Sequence, residues 1–576
     1  MLKKSQNRQT RSHRVFYGFV GCAVLCVLVL VGMYGCASRT VQPTPTAVVD
    51  VSPSPTADIF KVARDVLRLK KDDATLGRRS KKKPQFIESH VIELLQGHPE
   101  LLKKPLPQLV AELDRREVRP DPTKHVRLVP PMGQPGYDDL RVYFSHPLIE
   151  TGATRPADNL VSAWRDFLLQ AKHEIVLNVF DFDLLEIADV LVDKAKAGIS
   201  VRVGIDKNMI SERTEVKRVF DRLVSGGVLV VQVDSMRLNH QKVAAIDWSQ
   251  TTNARALFSS GNLTQSCLGP EGDLKDVPAV HRPKESIPNA NHVITMKSWL
   301  AANLINHELS KTFDQSLGLR GASYPMTGAY QITGPGVPPE TFEAYPEPSF
   351  VITFTPGGGY RDVGKNILAR VIEKSSGPIR MIQFAYSAPA VAEALLAKAT
   401  NAYRTRGIFD FYSVGDTPFA LQGWSQFLKM SGYRRLKKNG ATQFVIDEKS
   451  PWVTALRSEQ IQDLRSRVRI APFPYGDKQV KVGGESRKVN SKVHHKILAA
   501  GEYVVMGTSF NFSKGAEANN EQILVFHSRE LASKVDGAIK HLLSADPPSV
   551  AAEAERRNQF HDAASDLKDD LDDAGP

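Results

Sequence analysis

From Glu174 the chain reads EIVLNVFDFD, an alternation of apolar positions that suits a strand. LLEIADVLVDKAKAGI comes next, with apolar residues at helical i, i+3 and i+4 spacing, and then the apolar run SVRVGID. From Pro378 the script runs again as PIRMIQFAYS, APAVAEALLAKATNAYRTRG and IFDFYSVGD. Each copy predicts strand, helix, Gly turn and strand, a length that makes parallel sheet with a right-handed crossover. The fold class is therefore α/β, with two repeats.

The remaining patterning divides the rest of the chain. Val15–Gly35 is almost wholly apolar and uncharged, after five basic residues (Lys3, Lys4, Arg8, Arg11, Arg14). Such a run is long enough to cross a bilayer, and the preceding positive charge places the body on the far side. Residues 1–36 are thus expected to be a signal or membrane anchor. Met33-Tyr34-Gly35-Cys36 resembles a bacterial lipoprotein signal, in which the cysteine becomes lipidated. Lipidation at Cys36 and an uncleaved helix both remain open. Residues 37–58 are rich in Pro, Thr and Ser and read as a stalk. Residues 59–135 read as a small helical, basic module, with Arg78-Arg79-Ser80-Lys81-Lys82-Lys83 in its middle. The two repeats take residues 136–330 and 331–545. Residues 546–576, with nine acidic and three basic side chains, read as an acidic disordered tail.

Composition narrows the function classes. Among 576 residues, 42% are hydrophobic and 24% charged, which excludes a wholly disordered chain. Of four cysteines only Cys267 lies in the body, so neither a disulfide scaffold nor a four-thiolate zinc site fits. The net charge of +12 invites a polyanionic partner, either nucleic acid or an anionic membrane surface. A merely basic soluble protein fits the charge equally well.

The segments downstream of each copy are more specific. After the first stand His240-Gln241-Lys242-Val243-Ala244-Ala245-Ile246-Asp247 and then Ser260-Gly261-Asn262-Leu263-Thr264. After the second stand His494-His495-Lys496 and then Ser509-Phe510-Asn511-Phe512-Ser513. In an extended strand residues i and i+2 share a face, so the His and Lys of each pair project together. One His-x-Lys carries no information, but two, each with the same fold unit before and the same Asn/hydroxyl element after, do.

At these residues the chain resembles the phospholipase D superfamily, whose signature is HxKxxxxD followed by Asn, once per half. The resemblance spans about Val142 to Ala545 and implies two phospholipase-D-like repeats, each a mixed sheet flanked by helices, around one shared active site. The first motif, His240-Lys242-Asp247, is complete; the second has Gly501 where its Asp belongs, with Glu502 next. The family's later acidic residue, which orients a histidine, is matched by Glu521 in the second half. The first half has Asn289-Ala290-Asn291-His292 there and no carboxylate.

The resemblance assigns the site to His240, Lys242, Asp247, Asn262, His494, Lys496, Asn511 and Glu521. Lys242 and Lys496, with Asn262 and Asn511 as neutral donors, suit the two non-bridging oxygens of a phosphodiester without metal or cofactor. One neutral imidazole attacks phosphorus, and a protonated one delivers a proton to the leaving oxygen. Histidine serves both tasks because its ordinary pKa of about 6.5 leaves both forms accessible. Water or an alcohol then cleaves the phosphohistidine. If the family's acidic residue reaches across to the other half, Glu521 orients His240, while His494 faces Asn291 or His292.

Other features weigh less. His494-His495 with Glu521 lacks a third metal ligand at convincing spacing. Gly357-Gly358-Gly359 lacks the Lys-Ser/Thr of a phosphate loop and reads as a turn. Phe180, Phe182, Phe384 and Tyr386 read as core. The expected function is a membrane-tethered phosphodiesterase or phosphatidyltransferase acting on phospholipids at an anionic membrane surface of a bacterial cell envelope, on the non-cytoplasmic side. The alternatives are a metal-independent nuclease of the same superfamily and a non-catalytic phosphate- or lipid-binding envelope protein. No feature of the sequence fixes an oligomeric state.

Overall fold

The computed structural model of the chain describes residues 98–115, 126–128, 137–145, 159–269 except 236, 289–317, 329–332, 349–355, 363–415, 425–470 except 431 and 439, 479–482, 485–488 and 492–559 except 545, with positions 62, 65, 66, 91, 94 and 95. The expected anchor, stalk and Arg78–Lys83 cluster lie outside these residues. Among the described residues no helix is long and apolar enough to cross a membrane. The elements of the fold all belong to the compact unit Pro53–Pro576.

The protein is mixed α/β. Its first sheet has seven strands in the order Asp138–Phe144, His292–Lys297, Arg255–Ser259, Lys242–Ile246, Glu174–Val179, Ser200–Asp206 and Leu229–Val233. The second runs Val126–Leu128, Ala329–Ile332, Ser349–Thr355, Glu521–His527, Tyr503–Met506, Lys496–Ala500, Ile379–Gln383, Phe411–Gly415 and Val468–Ile470. In each, three parallel strands abut an antiparallel block. The register repeats too: Lys242 faces Val179, and Lys496 faces Gln383.

Strands such as Lys242–Ile246 and Lys496–Ala500 are buried along their whole length, because both faces of each sheet are covered. Helices Leu160–Leu169, Leu185–Lys196 and Thr214–Ser225 pack their apolar stripes on one face of the first sheet. The opposite face shares a core with the second sheet and with helices Trp299–Ser316 and Arg529–Leu543. Those two helices start alike: Ser298 accepts from the N–H of Ala301, and Ser528 from that of Leu531. Pro389 opens helix Pro389–Thr405 at a position where its missing N–H costs nothing.

Two boundaries differ from the sequence reading. Val126–Leu128, expected in the helical module, is a strand parallel to Ala329–Ile332 and extends the second sheet. Residues 550–559, expected in the disordered tail, are helical and bury Val550, Ala551 and Ala554 in the second core; the acidic excess of the tail lies mostly beyond them, and here two Glu are balanced by two Arg. The second half also carries a separate two-stranded hairpin, Tyr433–Lys438 with Ala441–Ile446. Helices Lys207–Glu212 and Thr214–Ser225 occupy the corresponding connection of the first half.

Candidate active site

Strand Lys242–Ile246 runs antiparallel to Glu174–Val179, so His240 lies beside the carboxyl end of the latter; His494 is placed likewise beside Ile379–Gln383. Open α/β sheets gather ligands at such strand ends. The two halves meet there by exchanging short backbone pairings. Asn239 pairs with Asn520, and the N–H of Asn520 donates to the carbonyl of Leu238 at 2.8 Å. Ala290 pairs with Val493, and the N–H of His494 donates to the carbonyl of Ala290 at 2.8 Å.

The exchange gives each histidine a partner from the opposite half. Nδ1 of His240 lies 2.8 Å from Oε2 and 3.0 Å from Oε1 of Glu521, whose carboxylate also accepts from Asn519 Nδ2 at 3.0 Å. Nδ1 of His494 lies 3.0 Å from Oδ1 of Asn291. The Asn291 amide cannot turn round, because its Nδ2 donates to the carbonyls of Cys267 at 2.8 Å and Asn289 at 3.3 Å. Its oxygen therefore faces Nδ1 of His494, and Lys496 Nζ lies 3.0 Å from the same Nδ1 and 3.2 Å from Nε2. One histidine has a carboxylate behind it and the other a neutral amide.

The lysines are equally matched. Lys242 Nζ donates to the carbonyl of His240 at 2.7 Å, and Lys496 Nζ to that of His494 at 2.8 Å. Lys242 lies over the Phe180 ring at 5.5 Å and Lys496 over Phe384 at 5.3 Å. The same rings flank the imidazoles, with centroids 5.3 Å apart for Phe180 and His240 and 4.6 Å for Phe384 and His494. Phe180 and Phe384 thus belong to the site, whereas Phe182 and Tyr386 are wholly buried. Oδ1 of Asn262 and of Asn511 is buried without a hydrogen bond, so neither amide is committed to the scaffold.

Burial dominates the electrostatics. It pushes the His240 imidazole below its ordinary range, opposed by the charge of Glu521. Burial and then Lys496 push His494 well below. Burial also lowers Lys242 to about 8, against the pull of Glu521, and lowers Lys496 well below the ordinary lysine range. At one side Arg213 pairs with Asp181 and, at 3.2 Å, with Asp183; burial lifts the Asp181 carboxyl to about 6.

Asp247 lies elsewhere. It is buried at the far end of strand Lys242–Ile246, seven residues from His240, roughly 23 Å along an extended chain. Its carboxylate accepts from the backbone N–H groups of Lys172 (3.0 Å), His173 (2.7 Å) and Glu174 (3.1 Å). Its φ of 50° matches the 61° of Gly501, and its N–H donates to the carbonyl of Glu174 as that of Gly501 does to Pro378. The second half thus keeps the turn and changes the loop. Pro378 has no N–H to satisfy, and Ser375 Oγ takes the N–H of Gly377 at 3.2 Å. Of the other residues, His240, Lys242, His494, Lys496 and Glu521 lie together where the halves meet, and Asn262 and Asn511 follow the strands next to the two lysine strands.

A further pair sits behind them. His292 and His495 are fully buried, stacked within 6° of parallel, with Nδ1 atoms 3.1 Å apart. Their counterparts across the repeat are Gln522 and Gln241. Two adjacent sequence cues, Asn291-His292 and His494-His495, marked the pair, but only the crossing of the halves joins them. Among the described residues no group of three or more His, Cys, Asp or Glu could hold a metal ion.

Residues 165–274 match the family described as cardiolipin synthase, PLD-like domain. A search of curated proteins gives no match. Similar solved structures include Nuc from Salmonella typhimurium, a phospholipase D family member, at 14% identity over 31% of this chain and 95% of that one, TM-score 0.24. Polyphosphate kinase from Porphyromonas gingivalis is 11% identical over 73% and 55% of the two chains, TM-score 0.39. Phosphatidylserine synthase from Haemophilus influenzae is 11% identical over 72% and 92%, TM-score 0.39. The matched residues 165–274 include His240, Lys242, Asp247 and Asn262, and the His, Lys and Asn recur at 494, 496 and 511, so the chain resembles the phospholipase D superfamily.

Proposed function

We propose that this protein is a phosphodiesterase or phosphatidyltransferase that acts on phospholipids through a phosphohistidine on His240. The observation that carries the reading is the unequal support of the two imidazoles, Glu521 behind His240 and Asn291 behind His494. A carboxylate on Nδ1 stabilises the positive charge that develops when Nε2 attacks phosphorus. As the His240 Nε2–P bond forms and the P–O bond to the head group breaks, the leaving oxygen takes the Nε2 proton of His494. Water or an alcohol then attacks the phosphorus, gives its proton to His494 and releases His240. Lys242, Lys496, Asn262 and Asn511 hold the non-bridging oxygens. Alone, the site keeps His494 neutral; a phosphodiester between the lysines adds negative charge and raises its proton affinity.

Phospholipid as substrate and a membrane-tethered place of action are supported by the apolar stretch Val15–Gly35 and the basic body. The Gly501 departure does not weigh against catalysis, since its counterpart Asp247 serves a loop and not the histidines. The test is turnover of phosphatidylglycerol, phosphatidylcholine and single-stranded DNA in the presence of EDTA. Lipid turnover is expected. Cleavage of DNA alone would make the protein a nuclease, and activity on none would leave a phosphate- or lipid-binding protein.

A further inference from the structure

The hairpin Tyr433–Lys438/Ala441–Ile446 is a two-stranded sheet of its own, and such ribbons are only marginally stable in water unless something holds them. Here the hold is at the root. Tyr433 and Phe444 are buried, Tyr433 Oη donates to Glu555 at 2.8 Å, and Asn558 pairs with the backbone of Phe444 at 2.6 and 3.0 Å. Beyond that root, residues 434–438 are all exposed.

The register sorts the outer part into two faces. Arg434 stands opposite Val445, Leu436 opposite Gln443, and Lys438 opposite Ala441, so these six share one face. Tyr433 and Phe444 mark the other, which is fastened to the body at the root of the hairpin. The outward face thus presents Arg434, Leu436 (37% exposed) and Lys438 in a row. No acidic residue occurs between Tyr433 and Ile446, and among the described residues Arg434, Lys437 and Lys438 have no ion-pair partner. Uncompensated cations beside exposed aliphatic side chains, on a ribbon that contributes nothing outward to either sheet, need a reason outside the fold.

We propose that this hairpin docks the protein on an anionic phospholipid surface, with Arg434 and Lys438 on the head groups and Leu436 pressed into the interface. Charge complementarity supplies the attraction, and the exposed Leu436 between the two cations distinguishes a bilayer from nucleic acid. A strand-binding ribbon offers aromatic rings for bases to stack on, and both aromatic residues of this hairpin are buried at its root. The proposal deepens the phospholipid reading by giving it a point of attachment separate from the histidines.

The experiment uses the unit Pro53–Pro576, which holds all of the described core and omits the apolar N-terminal stretch. Binding to phosphatidylcholine vesicles with and without phosphatidylglycerol is compared for the parent, Arg434→Ala/Lys438→Ala and Leu436→Ser, alongside single-stranded DNA. Removing two cations should weaken binding to the anionic vesicles by roughly 30-fold and flatten its salt dependence. Leu436→Ser should weaken it further than salt can, and turnover of a soluble p-nitrophenyl phosphodiester should be unchanged. Unaltered vesicle binding, an equal loss on vesicles lacking phosphatidylglycerol, or a loss confined to DNA would each overturn the proposal. Absence of any turnover would instead count against the phosphodiesterase reading, because the vesicle measurement does not depend on it.

Discussion

Glu521 stands 2.8 Å behind Nδ1 of His240 although 281 residues separate them along the chain, and the place it would occupy behind His494 is filled by the amide of Asn291. In the mechanism proposed above, this asymmetry gives attack to His240 and proton delivery to His494. A leaving group that needs no proton separates the two tasks. With a p-nitrophenyl phosphodiester, His494→Ala should keep its first step and accumulate phosphoprotein, whereas His240→Ala should show neither. Phosphate trapped on residue 494 in the His240 variant would reverse the assignment.

The partners themselves give a second measurement. Glu521→Gln preserves shape but removes the charge that supports the attacking imidazole, and should lower kcat by about a hundredfold or more. Asn291→Asp places a carboxylate on His494, raising its proton affinity. The acid must be protonated, so the alkaline fall of kcat should move to higher pH in that variant. A profile that does not move would mean that His494 is not the acid.

Lys242 predicts an alkaline limit of another kind. Burial lowers its ammonium to about 8, so its charge, and its grip on a phosphate oxygen, is lost as pH rises through that value. In the free enzyme kcat/KM should decline above about pH 8. Lys242→Arg keeps a charge at every accessible pH and should remove this limb even if the absolute rate is lower.

Asp247 and Gly501 can be told apart from the chemistry by stability. Asp247→Ala leaves three backbone donors without their acceptor and should cost about 2–3 kcal/mol in urea unfolding, with phosphoprotein formation intact in the folded fraction. Gly501→Asp, which completes the second motif on paper, should destabilise. Its backbone is left-handed at φ 61°, and a Cβ there would come within 3.0 Å of Ser375 Oγ. A gain in activity from Gly501→Asp would contradict the loop role.

The buried imidazole pair carries a pH-dependent contribution. Burial, then Lys496, lowers His292 from 6.5 to about 3. The unfolded chain therefore binds a proton there that the folded one refuses. The contribution is fully present above about pH 6.5 and is lost as pH falls toward 3, so acid weakens the fold by up to a few kcal/mol through this group. His292→Gln, which copies the Gln522 arrangement of the other half, should flatten the unfolding free energy over that range. Identical pH slopes in parent and variant would exclude a role for the pair.

The strand–helix–strand repeat was legible because its signals are local: period two, then 3.6, then a buried run. So were the two His-x-Lys pairs, since spacing alone puts each pair on one face. Phe180 and Phe384 were not, because alternation tells which side of a strand a ring is on, not that this side ends against an imidazole of the next strand. Asp247 misled through its nearness in sequence, when an extended strand carries it away from His240. His292 and His495 sit 203 residues apart and meet only where the halves cross. Helix 550–559 was hidden because it was read together with the acidic residues that follow it, although its own charges balance and three of its apolar residues are buried.

The crossing of the halves has a consequence for symmetry. A single half folded as a symmetric pair would lend each copy's post-strand residue to the other copy's histidine. Two first halves would then hold both imidazoles with amides, and two second halves would hold both with carboxylates. Neither twin could support its two histidines differently. Only a pairing of unlike halves, such as the one this polypeptide holds, lets position 291 differ from position 521. Co-expressed halves, each tagged and altered at one position only, should complement in the mixed pairing that the continuous chain now makes permanent.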